Sequence, residues 1–244
     1  MLNVHSIETF GTHDGPGIRM VVFLQGCPIR CVYCHNPDTL AAMSDGCTNM
    51  SAEEIIALLE KEKPYFKSNG GLTVSGGEPT FQAAGLLELF QKVKAAGFHI
   101  TLDTNGVIYS EEVSKIYDLA DLVILDVKHI DDAQHKKLTG GMGNSEVLMN
   151  AMYREHSGKK MWLRYVLVPG WTDQPKFVEA WAKHFQHYKT VERVELLPYH
   201  TLGVHKYKAL GIPYKLEGLT PPTAKAVEEA AAIFRRYLPH VVIA

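Results

Sequence analysis

Cysteine is scarce in this chain, long apolar runs are missing, and neither sign of charge dominates. Only four cysteines occur in 244 residues, too few for the disulfide framework that staples small secreted domains. No apolar run reaches the roughly 20 residues that a membrane-spanning helix needs. The first ten residues have neither a basic start followed by an apolar stretch nor a small-residue cleavage pattern, so a soluble, cytoplasmic protein is expected. Lys and Arg number 25 against 27 Asp and Glu, and so near a balance leaves no global field to recruit nucleic acid or an anionic membrane. Internal repeats, low-complexity tracts and linkers are also missing. With 46% hydrophobic residues, a single domain over residues 1–244 with one sizeable core is the expectation.

What is present is an alternation of β-branched runs with segments of helical period, the pattern of a parallel sheet wrapped by crossover helices. The candidate strands are 20–24, 72–75, 99–103, 122–126, 161–168 and 191–197. Ser51 with Glu54 forms a capping-box pattern ahead of Ile55, Ile56, Leu58 and Leu59. Asp173 precedes Pro175 and the apolar stripe Phe177, Trp181 and Phe185, and Thr220 before Pro221 opens the last helix. That stripe and the three tryptophans read as packing residues. Six β/α units are fewer than the eight of a full barrel, so the expected fold is α/β, an open partial (β/α)6 barrel. Segment 198–218 is long and rich in Gly, His, Tyr and Lys, which fits a functional loop.

Three of the four cysteines, Cys27, Cys31 and Cys34, crowd into eight residues just after the first candidate strand, with spacing C-x3-C-x2-C. Cys47 stands apart in the loop 44–49 and reads as a thiol without a role. Three thiolates can hold three irons of a 4Fe-4S cluster, whose usual complement is four cysteines, and leave the fourth iron open to a ligand. The alternative is a zinc-binding interaction module in which His35 is the fourth ligand. Structural zinc sites more often draw on two separated ligand pairs, and no second cysteine pair follows.

Polar residues recur at the candidate strand ends, where barrel sites are built. Gly76 and Gly77 permit close backbone approach to a ligand, and Glu78 can accept from an ammonium group. Asp103 and Asp126 end two strands; singly they read as a cap and as a partner of Lys128, and together as a cation or cofactor site. Arg164 interrupts an apolar run and shares the face of Trp162 and Val166 by alternation. A buried guanidinium needs an anion, so an internal carboxylate or a cofactor carboxylate should face it. His200 falls just past the sixth strand.

The cysteine spacing with Tyr33 before the last cysteine resembles the signature of the radical S-adenosylmethionine superfamily. Within it the chain resembles the pyruvate formate-lyase activating family through six separated segments. These are Gly11 to Arg19, Cys27 to Thr39, Ser75-Gly76-Gly77-Glu78, Asp103-Thr104-Asn105-Gly106, Leu125-Asp126-Val127-Lys128 and Leu197-Pro198-Tyr199-His200. The resemblance implies one 4Fe-4S cluster on Cys27, Cys31 and Cys34 that reductively cleaves S-adenosyl-L-methionine. The resulting 5'-deoxyadenosyl radical would take a hydrogen from a glycine loop of pyruvate formate-lyase. It further implies cofactor contacts at Tyr33, His35, Gly76, Gly77 and Glu78, and at Asp103, Asp126, Val127, Lys128, Arg164 and His200. A monovalent cation, Na or K, would be held by Asp103, Thr104, Asp126 and the Ile124 carbonyl. Reduced flavodoxin or ferredoxin would donate the electron, and the chain would act as a monomer. Many related activases carry extra cysteine clusters after the signature, which this chain lacks; the activator of anaerobic ribonucleotide reductase is shorter. Leu40 stands where the family often has Trp. The rival within the superfamily is an enzyme acting on a small molecule, similar to the carboxydeazaguanine synthases.

Overall fold

The computed structural model describes residues 1–44 and 46–244. Asp45, inside the loop 44–49, lies outside the described residues, and of that loop Thr48 and Asn49 belong to a strand. The chain divides into two compact units, one of Met1–Pro28 and Thr39–Ile124, the other of Ile29–Asp38 and Leu125–Ala244.

The first unit contains β1 (Leu2–Gly11), β2 (Arg19–Leu24), β3 (Thr48–Met50), β4 (Gly71–Gly76) and β5 (His99–Thr104), with helices α1 (Ala52–Phe66), α2 (Ala83–Ala95) and α3 (Glu111–Leu119). Strand order is β3-β1-β2-β4-β5. β2, β4 and β5 run parallel, while β1 pairs antiparallel with both β2 and β3. Parallel strands covered on both faces read as continuous apolar runs, and Met20, Val21, Val22, Leu72 and Val74 are all fully buried. The predicted capping box is present, the Ser51 side chain accepting from the Glu54 N–H and Glu54 from the Ser51 N–H. Buried Arg19 ties down the preceding glycine-rich segment: Nε donates to the Thr73 hydroxyl at 2.5 Å, Nη2 to the Leu72 carbonyl at 2.6 Å and Nη1 to the Pro16 carbonyl at 2.9 Å. Burial lowers its pKa to about 10.

β6 (Leu122–Asp126) begins in the first unit and ends in the second. The second unit then contains α4 (Asp132–Thr139), α5 (Ser145–His156), β7 (Met161–Leu167), α6 (Pro175–Phe185), β8 (Val191–Pro198), α7 (Val204–Ala209), α8 (Ala224–Arg235) and β9 (Val241–Ile243). β7, β8 and β9 pair parallel in that order. Its core gathers the Tyr165, Trp181, Phe185 and Phe234 rings, with centroids 4.7–5.5 Å apart for the touching pairs. These tilted and edge-on contacts are the geometry aromatic pairs prefer. The Trp181 indole N–H, which would be costly to bury unpaired, donates to the Val127 carbonyl at 3.1 Å.

The six predicted strands are all present. β1, β3 and β9 were not anticipated, and neither was α7, which occupies part of segment 198–218. The last helix also starts later than predicted: Thr223, not Thr220, accepts from the Ala226 N–H. The residue before a proline is pushed toward extended backbone, so Pro221 before Pro222 cannot be the first helical residue that Thr220 would cap, and the helix waits for Thr223.

Candidate active site

The first limb of the cysteine loop follows directly from the end of β2. The Gly26 N–H donates to the Thr39 carbonyl at 2.8 Å and the Cys27 N–H to the Leu40 carbonyl at 3.4 Å. The turn after β4 crosses this limb backbone to backbone, the Gly77 N–H donating to Leu24 O at 2.9 Å and the Glu78 N–H to Gly26 O at 2.8 Å. A Cβ at Gly77 would lie 2.3 Å from the Gly26 carbonyl oxygen, and Gly76 takes φ of 111°, so both positions require glycine. The close backbone approach seen here is between two segments of the chain.

Glu78 is fully buried. One oxygen, Oε1, accepts from the Thr80 N–H at 3.0 Å, the Thr80 hydroxyl at 2.6 Å and the Thr104 hydroxyl at 2.7 Å, while Oε2 accepts from the Asn105 N–H at 2.8 Å. Burial raises its pKa, and these donors only partly offset the effect. The carboxylate is therefore a hub that joins the turn after β4 to the end of β5. Asp103 accepts from the Ser75 hydroxyl at 2.9 Å, and Thr104 accepts from the Gly106 N–H at 3.0 Å. Asn105, to which no role was given from the sequence, directs Nδ2 at the Cys27 sulfur, 3.7 Å away. Hydrogen bonds to ligand sulfur are one means by which a protein sets an iron–sulfur potential.

The second limb belongs to the other unit. Its Arg30 and Val32 N–H groups donate to the Thr139 and Leu138 carbonyls at 2.7 and 2.9 Å, satisfying acceptors that a helix leaves unpaired at the C-terminus of α4. Tyr33 is buried among Leu138, Val166, Val168, Tyr199 and Leu216, with Trp171 and Tyr214 packed against them. Lys128 pairs with Asp126 and places Nζ 5.6 Å from the Tyr33 ring centroid. Burial opposes the Lys128 charge, yet Asp126 holds its pKa well above the ordinary value. Burial also raises the pKa of Tyr33 and of the Cys34 thiol.

No disulfide engages any of the four cysteines. Asp126 Oδ1 and Tyr33 Oη are buried without a hydrogen-bond partner in the chain, which leaves them open to water or a bound polar group. Thiols outside any disulfide and two orphaned oxygens are donor types that suit an iron–sulfur cluster and a polar cofactor. Among the described residues no three His, Cys, Asp or Glu side chains are gathered tightly enough for a single metal ion.

Of the remaining expected residues, Ile124 is buried in β6 at the end of the first unit, and the others lie in the second. The His35 ring stacks on His200 with centroids 3.9 Å apart, and its Nε2 bonds the His200 carbonyl at 3.0 Å. Burial, then the neighbouring His200, lowers the His35 pKa. Val127 has both backbone groups engaged, its N–H with the Arg164 carbonyl and its carbonyl with Trp181. Arg164 lies opposite Glu195 in the β7/β8 register. Its Nη2 and Nε donate to Glu195 Oε2 at 2.9 and 3.1 Å, and Arg193 meets the other carboxylate oxygen at 3.2 Å. Of the two anions the sequence left open for Arg164, the internal one is present.

Parallel β/α succession with a three-cysteine loop at the end of its first parallel strand defines a radical S-adenosylmethionine protein. The family model described as the Radical SAM superfamily matches residues 21–179, more than half of the chain. A pyruvate formate-lyase-activating enzyme of Streptococcus mutans is 46% identical over 233 residues, covering 93% of this chain and 88% of the relative. One of Staphylococcus epidermidis is 42% identical over 235 residues, covering 93% of each chain. By these matches the chain belongs to the pyruvate formate-lyase-activating enzymes of that superfamily. Among solved structures, Streptococcus suis SuiB bound to the precursor peptide SuiA matches with a TM-score of 0.71 at 16% identity, covering 98% of this chain and 50% of that one. At that identity the likeness concerns the fold alone.

Proposed function

We propose that this chain activates pyruvate formate-lyase by reductive cleavage of S-adenosyl-L-methionine. The observation that carries the reading is the C-x3-C-x2-C loop within a chain 46% identical to an activating enzyme over nearly its whole length. When bound, the cluster supplies one electron and the cofactor a sulfonium, whose carbon–sulfur bond breaks to give methionine and a deoxyadenosyl radical able to take a hydrogen from a lyase glycine. Glycine suits that step because no side chain blocks the approach.

The residues of this chain take the following parts. Cys27, Cys31 and Cys34 hold the cluster, with Asn105 donating to the Cys27 sulfur. Gly76 and Gly77 bring the turn after β4 against the first limb of the loop, and Glu78 locks that turn in place. Tyr33, Asp126 and Lys128 offer the polar groups toward the cofactor, a part supported by the two unpartnered oxygens. Val127, just past β6, and Arg164 in mid-β7, whose carbonyl accepts from the Val127 N–H, stand toward the cofactor, and His35 with His200 serve the adenosine end. A sodium or potassium ion beside the cofactor carboxylate, flavodoxin or ferredoxin as electron donor, a monomeric state, a single working domain and a cytoplasmic location complete the proposal. No helix among the described residues is long and apolar enough to cross a membrane.

Anaerobic reconstitution with iron and sulfide, followed by chromatography of the products, tests it. Iron and sulfide bound together with release of methionine and 5'-deoxyadenosine is the expected result; zinc bound without sulfide, and no cleavage, would contradict it.

A further inference from the structure

The second limb of the cysteine loop is held by a short helix within segment 198–218, the stretch whose composition fits a functional loop. α7, with the residues leading into it, meets the segment from Cys34 to Asp38 at several points. The Tyr207 hydroxyl donates to the Cys34 carbonyl at 3.0 Å. Lys206 Nζ donates to Asn36 Oδ1 at 3.0 Å and reaches both carboxylate oxygens of Asp38, at 3.1 and 3.0 Å. Gly203 presses directly on the His35 backbone: a Cβ there would lie 2.7 Å from the His35 carbonyl oxygen and 2.8 Å from its Cα. The brace is itself anchored, because the Tyr207 ring packs on Tyr214 with centroids 4.8 Å apart and the Tyr214 hydroxyl bonds that of Tyr199 at 2.8 Å.

We propose that α7 is a brace for the third cluster ligand, with Tyr207 and Lys206 as positioning residues that fix the Cys34 limb, Lys206 also neutralising the Asp38 carboxylate beside it. The proposal rests on the iron–sulfur reading above. Physically, the limb from Cys34 to Asp38 contains only a single 3-10 turn, Pro37–Thr39, at its end, so its own secondary structure does little to hold the thiolate. Contacts that orient a metal ligand from behind change metal affinity by about 10–100-fold when removed. Without Lys206 the Asp38 charge stands uncompensated on this limb, and a negative charge near the cluster disfavours its reduced, more negative form and lowers the reduction potential.

The test uses the full chain, reconstituted anaerobically, as the parent and as Tyr207→Phe, Lys206→Met and Lys206→Arg. Tyr207→Phe keeps the ring and its packing on Tyr214 and removes only the hydroxyl. Lys206 has a side chain 30% exposed and Lys206→Arg keeps its charge, so the test stands on the Lys206 variants should Tyr207→Phe fail to fold. Release of iron to a chelator is expected to be about tenfold faster in Tyr207→Phe and Lys206→Met. The potential of Lys206→Met, read by titration of the reduced-cluster paramagnetic signal, is expected to move negative, and Lys206→Arg to restore both. A merely structural role would lower the melting temperature of the metal-free chain and leave the potential of loaded protein unmoved; that outcome, or unchanged iron release, overturns the brace. Failure of the parent itself to take up iron and sulfide would overturn the underlying reading, and the brace with it.

Discussion

Glu78 offers a test in which stability and ligand binding give opposite answers. From the sequence it is a group that meets a cofactor ammonium; in the structure its oxygens take four donors from the chain, two backbone N–H groups and two hydroxyls. Glu78→Ala leaves the Thr80 and Asn105 N–H groups buried without acceptors, whereas the two hydroxyls can rotate to others. Each orphaned N–H costs about 1–3 kcal/mol, and relief of the buried carboxylate offsets part of that, so a loss of about 2–4 kcal/mol is expected. Against a total of about 5–15 kcal/mol that is a large fraction. Urea unfolding of the metal-free chain, followed by circular dichroism, measures it. Glu78→Gln turns an amide donor toward one of those donors and should lose about 1–2 kcal/mol. Because burial raises the Glu78 pKa, the folded chain holds this proton more tightly than the unfolded chain. That contribution to stability is complete below the ordinary carboxylate pKa and is lost as pH rises through the raised value. Glu78→Gln should remove this part of the pH dependence. A loss below about 1 kcal/mol in Glu78→Ala, together with collapse of cofactor affinity, would refute the hub and support the direct contact.

Replacing Cys27, Cys31 or Cys34 with Ala should abolish cofactor cleavage, and Cys47→Ala should leave it intact; product chromatography reads both, and cleavage by any of the first three would sink the cluster assignment. Asp103→Ala and Asp126→Ala should weaken S-adenosylmethionine binding, measured by calorimetry, more than they lower the melting temperature; equal losses would make them structural. Glu195→Ala should cost about 2–4 kcal/mol by urea unfolding, less than for a fully buried pair because Arg164 and Arg193 keep some exposure. A loss near zero would mean that the two arginines find another anion. Thr223→Ala should cost about 1 kcal/mol, and Thr220→Ala less than about 0.5 kcal/mol; the reverse order would return the cap to Thr220.

What could be read without coordinates was whatever a short stretch of chain determines by itself. The strands β2, β4, β5 and β6 announce themselves because burial on both faces leaves near-continuous apolar runs. The Ser51 capping box is local chemistry, and so is the cysteine spacing. β1 is largely exposed after Val4, and β3 and β9 are three residues each, so pairing with neighbours decides them. α7 has six polar-rich residues and no side-chain cap; its contacts with Asn36, Asp38 and Cys34 span about 170 positions, and no periodicity reveals them. Arg164 shows the same limit from another side. Its need for an anion follows from composition, but Glu195 can be picked only once the β7/β8 register is known. Asn105 was in view within a motif, yet its bond to Cys27 depends on the two loops crossing.

The most direct measurement of the central claim is electron paramagnetic resonance of pyruvate formate-lyase. The lyase is incubated without oxygen with the reconstituted chain, S-adenosylmethionine and a reductant. A glycyl radical signal on the lyase, absent when Cys31→Ala replaces the parent chain, is the predicted result. Cofactor cleavage that proceeds while no radical forms on the lyase would contradict it.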